Sequence, residues 1–438
     1  MGFTRDGDGS TLSLDFTQGI LDSRISFSRS TTATFISVGN LTDPTLTIES
    51  VGGSVVGDWD DPNIWDIAKS PRDGQVLVTI LVGDTVTFND YNTGVLLSTA
   101  SVNEPRFDHD PTTLAPRGLL IEGSATNLLN FSESFATSGG TNNNWGDTNI
   151  TRTSTIKTDP KGGTTALRIT ASAGNGTIIS SAAIGTSAER TFSVWLRRVT
   201  GTGDIQYTQN NGTNYTTQAI TSSWVRYTFT HTANHQVGIR IVTSGDAIEL
   251  WGAQLEASSG ASSYIPTVAS QVTRNADSAV MNDIASLNYS ATNGTIYWSG
   301  IINKQPTSFS TLIGFMTAID QPAYETFGNA LNYFTAARGP SLNTGGANEV
   351  ARPYVLGSLI KYASSVNTLV NPIVAVNLNG SAGSVNKSGT GDMHVATRLV
   401  LGRQPSSTYG ANYPSVTIRG IKYWPTTKTA AELAVLTA

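Results

Sequence analysis

The residues best suited to chemistry lie between positions 195 and 224. Trp195, Tyr207, Tyr215 and Trp224 offer flat aromatic faces, and Gln206, Gln209, Asn210, Asn211 and Asn214 offer amides that both donate and accept. Aromatic rings stack on the apolar face of a sugar while amides meet its hydroxyls. These residues therefore predict non-covalent carbohydrate binding, with no bond broken. The loop 206–215 is the stronger half of the set, because a stretch so rich in amides rarely packs inward. The tryptophans serve equally well as core, and core is the commoner use. Trp195 shares a strand face with Arg197, which predicts a wet face. Trp224 opens a strand near a loop, and Trp251 is assigned to the core.

Catalytic constellations are poorly supported. Paired carboxylates exist at Asp58/Asp60, Asp108/Asp110 and Glu249/Glu256. A glycosidase needs two of them facing each other about 5–10 Å apart across a cleft, and Asp is also common in turns. No Gly-x-Ser-x-Gly elbow stands between a strand and a helix, and no phosphate loop is present. An enzyme is therefore not expected. The acidic loop Asp58, Asp60, Asp61, Asp66 could hold Ca²⁺ through oxygen ligands but lacks the EF-hand spacing. No cofactor is expected beyond that one candidate ion. Trp59 and Trp65, in the same loop, are candidates for a contact with another subunit.

Composition narrows the rest. Of 438 residues, 13% are charged, about half the usual quarter. Ser, Thr, Asn and Gly take their place, a composition suited to β-sandwiches with polar loops rather than to long helices. The net charge is −5 (27 basic, 32 acidic) and no basic block occurs, so nucleic acid is not an expected partner. With no Cys, disulfides and thiolate chemistry are excluded, and four His leave little for a histidine-rich metal centre. The start has no apolar stretch of signal-peptide type. The longest strongly apolar run, 76–82, is too short to span a bilayer, so no membrane partner is expected.

The elements that must position these residues are strands. Period-two alternation marks Leu12, Leu14, Phe16 and again Ile25 and Phe27. Between 145 and 255, short strands recur about every ten residues: 166–170, 177–181, 191–198, 205–209, 224–230, 237–243 and 247–255. Residues 265–277 read as a linker. A further set follows at 294–302, 310–316, 332–336, 358–363, 372–378, 398–402 and 416–424, with Asn379-Gly380 as a hairpin turn. Thr429 and Glu432 form a capping box that predicts one short C-terminal helix. The fold class is all-β: tandem β-sandwiches after an N-terminal β segment. The expected divisions are 1–135 (with a β insertion at about 37–86), 136–270 and 271–438.

Several segments form a known pattern: Phe27 to Phe35, Pro105-Arg106-Phe107-Asp108, Pro116-Arg117-Gly118-Leu119-Leu120-Ile121-Glu122, and Thr126-Asn127-Leu128-Leu129. Leu250 to Glu256, Ser263-Tyr264-Ile265-Pro266-Thr267 and Thr273-Arg274-Asn275-Ala276-Asp277 belong to the same pattern. Together they resemble structural proteins of tailed-bacteriophage virions, of tail-fibre or head-fibre type. The middle region is similar to a carbohydrate-binding-module jelly roll. The last, through Arg398 to Gly402 and Ile418 to Trp424, is similar to concanavalin-like or laminin-G-like lectin sandwiches. The resemblance implies a virion location (tail, fibre or capsid surface) after synthesis in the host cytoplasm. It implies other virion proteins and host cell-surface polysaccharide as partners, and a homo-oligomer, with the trimer the usual state of fibre-like parts. It makes Tyr333, Arg338, Arg403, Tyr409 and Tyr413 candidate rim residues of the lectin-like region. The alternative it leaves open is a purely structural head-fibre, decoration or tail-connector part.

Overall fold

The computed structural model describes residues 8–37, 67–69, 76–78, 97–135, 145–180, 188–233, 236–304, 310–317, 322–328, 334–336, 349–350, 354–367, 373–386, 395–402 and 415–438. Strand is the predominant element among the described residues. The one α-helix among the described residues is Ala430–Thr437, and it carries the expected capping box between Thr429 and Glu432. The chain is all-β, built of antiparallel sheets packed as sandwiches.

The middle region forms a jelly roll of two five-stranded sheets. In one, the order is Trp145–Thr148, Gly176–Ser180, Gly238–Ile241, Ile205–Thr208 and Thr216–Thr217. In the other, it is Ile150–Lys157, Ala166–Ala171, Ala247–Glu256, Ala188–Thr200 and Val225–Ala233. Side chains alternate across a strand, so Phe192, Val194 and Leu196 meet Ile178, Ile205, Ile239 and Ile241 between the sheets. Each such side chain stabilises the fold by roughly 1.5–3 kcal/mol. The second sheet is covered on its other side too. Trp195, Trp224 and Trp251 pack there with Tyr264 and Leu97. This is why Ala247–Glu256 is buried along its whole length.

The larger sandwich draws on both ends of the chain. One sheet runs Ser381–Asn386, Ile373–Leu378, Leu359–Asn367, Asn293–Lys304, Ser415–Trp424, Pro116–Ile121 and Arg106–His109, with Leu12–Asp15 also paired to Ser415–Trp424. The facing sheet runs Ile25–Ser28, Ser278–Met281, Arg398–Leu401, Ser310–Met316, Pro322–Gly328, Phe334–Ala336 and Glu349–Val350. Leu14, Phe16, Leu119, Ile121, Trp298, Phe315, Ile418 and Tyr423 share its core. Strands from 12–28 and 106–121 are thus sheet partners of strands from 278–424. The jelly roll leaves this body after Ala125–Asn127 and returns through Val272–Arg274, and those two strands pair with each other as a neck.

The sequence segments from 27–35, 105–108, 116–122, 263–267 and 273–277 converge at the joint between the two sandwiches. Arg106 reaches Glu122 at 2.7 Å and Asp277 at 2.5 Å, and Arg29 reaches the other Asp277 oxygen at 3.0 Å. Arg274 flanks Glu122 at 3.5 Å, and every side chain in the network is at most 4% exposed. Ser263 donates to Glu122 through its amide and its hydroxyl. Burial alone would raise the Glu122 pKa, but Arg274 and Arg106 beside it hold the carboxyl well below the usual range. Asn127 latches the neck: its amide donates to the Ala253 and Ile265 carbonyls, and its oxygen accepts from the Leu129 and Leu255 amides. Gly118 has φ +116°, and a Cβ there would sit 2.2 Å from the Ile418 carbonyl oxygen. The Pro-Arg-Gly motif therefore requires its glycine.

Candidate functional site

The exposed side of the jelly roll's first sheet is the most site-like surface described. Its strands bury Ile178, Ile205, Ile239 and Ile241 inward, so the alternate residues face out. The register aligns them: Thr148 lies opposite Thr177, Thr177 opposite Arg240, Arg240 opposite Gln206, and Gln206 opposite Thr217. Residues directly opposite share a face. One polar row therefore crosses all five strands. The neighbouring row is Gly146, Ile179, Gly238 and Thr208, so Ile179 supplies most of its bulk.

Hydrogen bonds hold the row in one arrangement. Arg240 donates to the Gln206 side-chain oxygen through Nε at 2.8 Å and through Nη2. The Gln206 amide nitrogen donates to Thr217 at 3.1 Å. The Arg240 guanidinium lies 3.6 Å from the centroid of the Tyr215 ring, a cation–π contact. Its Nη1 has no hydrogen-bond partner among the described residues. The turn 209–215 that delivers Tyr215 is fixed from within. Asn211 adopts φ +57°. The Asn210 side-chain oxygen accepts from the Asn214 amide at 2.9 Å, and Thr208 Oγ1 accepts from the Gly212 amide at 3.0 Å. The result is a fixed set of donors, acceptors and one ring, open to solvent: an arrangement that can read hydroxyl groups but has no nucleophile or paired acids.

Of the residues expected from sequence, Gln206 and Tyr215 lie on this face, and Asn214 and Asn211 are exposed on the adjoining turn, while Asn210 is spent on the turn itself. The others go elsewhere. Tyr207 points inward and stacks on Phe229, with ring centroids 3.7 Å apart. Gln209 is buried and donates to the Phe229 carbonyl. The face at Trp195, expected to be wet, is covered: Trp195 is 1% and Trp224 4% exposed. The antiparallel pair formed by Ala33–Ile36 and Leu97–Ala100 brings Ile36 and Leu97 against that side of the sheet. Arg197 on that face pairs with Glu249 and stacks over Trp224. Arg240, the centre of the row, escaped the sequence reading. Its signal was present, since in Gly238-Ile239-Arg240-Ile241 the arginine alternates against two isoleucines within an expected strand.

The candidate acids have structural partners. Glu249 binds Arg168 and Arg197, at 2.6 and 2.5 Å. Glu256 accepts from Ser262 and Gln254. Asp110 is held down to about 2, first by the Thr113 amide and then by Thr112 and Arg117. Asp108 is buried, and burial pushes it up to about 6. Among the described residues no group of three or more His, Asp or Glu could hold a metal, and no helix is long and apolar enough to cross a membrane. Asp58, Asp60, Asp61, Asp66, Trp59 and Trp65 lie outside the described residues, as do Tyr333, Arg338, Arg403, Tyr409 and Tyr413.

No family model matches the chain, and no curated protein matches it. Solved structures give partial likenesses. A Trypanosoma rangeli sialidase in complex with the inhibitor DANA is 12% identical over 36% of this chain and 26% of that one, with a TM-score of 0.29. The CBM40 of a Ruminococcus gnavus IT-sialidase, bound to α2,3-sialyllactose, is 13% identical over 34% of this chain and 84% of that one, with a TM-score of 0.30. A heptameric SAP-like pentraxin from Limulus polyphemus is 12% identical over 34% and 73%, at 0.27. Likeness this partial assigns the chain no ligand and no reaction.

Proposed function

We propose that this chain is a non-catalytic carbohydrate-binding component of a tailed-bacteriophage virion, attaching to host surface polysaccharide. The observation that carries the binding role is the solvent-facing row Thr148, Thr177, Arg240, Gln206, Thr217, with Tyr215 held flat against Arg240. Fixed donors and acceptors beside an aromatic ring suit sugar hydroxyls and a pyranose face. The virion assignment is supported by the sequence resemblance, whose segments build the joint. In this reading the jelly roll, 136–270, meets the glycan. The body built from 1–135 and 271–438 faces other virion proteins. A homo-oligomer would multiply weak single-site affinity, and the particle surface is the place of action.

The test is an array of bacterial surface polysaccharides probed with the assembled protein. Retention on at least one polysaccharide, lost in Arg240→Ala, is the expected outcome. Failure of the wild-type protein to bind any of them would leave a scaffolding part. A reducing-end assay on the bound polysaccharide is expected to show no release; release would make the chain a depolymerase instead.

A further inference from the structure

The outer face of the jelly roll carries a charge that no neighbour neutralises. Arg240 gives Nε and one hydrogen of Nη2 to the Gln206 side-chain oxygen, a neutral acceptor, and lies 3.6 Å from the centroid of the Tyr215 ring. Its Nη1 has no partner among the described residues, yet it is not one of their buried unpartnered atoms, which include the Nε of Arg106, Arg226 and Arg274. Nη1 therefore reaches solvent. Gln206 occupies the edge formed by Nε and Nη2. The edge formed by Nη1 and the second Nη2 hydrogen is left over, and it is a planar fork of the kind that takes a carboxylate through two parallel hydrogen bonds.

The carboxylates near this sheet are accounted for. Residues 205–245 contain no Asp or Glu. Asp147 stands opposite Ile178, whose side chain is in the core, and is held by Arg152 at 2.6 Å. Asp246 is buried and pairs with Arg198 at 3.3 Å. Glu189 belongs to the other sheet, opposite Thr232. Asp204 is the one exposed carboxylate beside the row, two residues before Gln206; Thr217 Oγ1 lies 3.5 Å from it, and it forms no ion pair with Arg240. The Arg240 side chain leans away from it, since Tyr215 follows the other end of the register from Gln206 and Tyr207 to Thr217 and Thr216.

A neutral sugar would fill one donor of the fork with a hydroxyl and leave the charge uncompensated. A carboxylate fills both and neutralises it, and such charge-assisted bonds are about twice as strong as neutral ones. Thr177, opposite Arg240 in register, is left for a hydroxyl of the same sugar. We propose that Arg240 takes the carboxylate of an acidic sugar, so that the polysaccharide read by this face is an acidic one. The proposal rests on the binding role assigned above to the polar row and adds the class of ligand.

The experiment measures retention of the full chain on immobilised alginate, polygalacturonate, hyaluronate and polysialate. Each is paired with the same polymer after chemical reduction of its carboxyls to alcohols, and neutral dextran and galactan complete the set. Retention on at least one acidic polymer is expected, with Kd raised at least about tenfold on its reduced partner. Arg240→Gln should raise Kd on the unreduced polymer as much, and Arg240→Lys should recover part of the loss, because an ammonium keeps the charge without the fork. Reduction alters the ligand alone, so the result does not depend on how a variant folds. Equal retention before and after reduction overturns the proposal, as does retention on an acidic polymer that Arg240→Gln leaves unchanged. Retention confined to dextran or galactan and lost in Arg240→Ala overturns the acidic class while keeping the polar row as a binding face. Retention on none of the polymers also overturns it, and the array of bacterial polysaccharides then decides the binding role separately.

Discussion

The joint between the sandwiches and the outer face of the jelly roll are both organised around arginine, in opposite ways. At the joint, Arg29 and Arg106 are buried and ion-paired, Arg29 with Asp277 and Arg106 with both Asp277 and Glu122. On the outer face, Arg240 is half-buried, hydrogen-bonded to a neutral amide and laid on a tyrosine, with one nitrogen unpaired among the described residues. A guanidinium closed by carboxylates fixes structure, and one left partly open can still bind something. In a chain with so few charges, the most recognisable motif is devoted to architecture. The surface proposed to bind is made of ordinary residues in a particular register.

The contrast is broken most forcefully at the joint. Arg106→Met leaves Glu122 and Asp277 buried without their shared partner, and should cost about 3–5 kcal/mol of unfolding free energy in urea. Arg106→Lys should recover only part of that loss, because one ammonium cannot reproduce the forked contacts. A value under about 1 kcal/mol for Arg106→Met would show that the network is not what holds the joint.

Acidity separates Asp108 from the network a few residues away. Burial raises the Asp108 pKa from 3.8 to about 6, so the folded chain holds a proton that the unfolded chain has released. That contribution is fully present below 3.8 and lost as pH rises through about 6. Glu122, held low by its arginines, behaves oppositely: its contribution is present above its ordinary 4.5 and lost as pH falls below it. Wild type should therefore lose about 2–3 kcal/mol relative to Asp108→Asn between about pH 4 and pH 7. Parallel stability curves for the two proteins would contradict the assignment.

On the outer face the expected stability effects are smallest. Arg240→Ala should change unfolding free energy by less than about 1 kcal/mol while removing polysaccharide retention. Thr177→Ala, one position along the row, should leave stability within about 0.5 kcal/mol and weaken retention less than Arg240→Ala does. If either variant unfolds the jelly roll, the face is structural, like the joint, and the contrast fails.

The sequence shows strands more readily than it shows their neighbours. Alternation marked Leu12, Leu14, Ile25 and Phe27, and the Thr429–Glu432 box marked the helix, because these signals are local. That Leu12–Asp15 pairs with Ser415–Trp424 is a contact across four hundred positions, and nothing local encodes it. The same limit governs the site. Gln206 and Tyr215 were legible as polar and aromatic residues in an exposed loop. Arg240 joins them only through the register of Gly238–Ile241 against Ile205–Thr208. Trp195 is core, the commoner use of a tryptophan, and only the wet face suggested by Arg197 fails, because alternation says which residues share a face, not whether another layer covers it. The paired strands Ala33–Ile36 and Leu97–Ala100 supply that layer.

The paired neck has a consequence for exchange. Chain enters the jelly roll through Ala125–Asn127 and leaves through Val272–Arg274, side by side. A module whose two ends meet can be exchanged at that neck, provided that the replacement keeps the surface on which Ile36 and Leu97 pack. Ser263 and Tyr264 grip the joint from the exit side, so a working exchange would keep Asn127 and the stretch from 257 onward and replace what lies between. The jelly roll is thus a continuous stretch of chain inserted into a body that is itself assembled from both of its flanks.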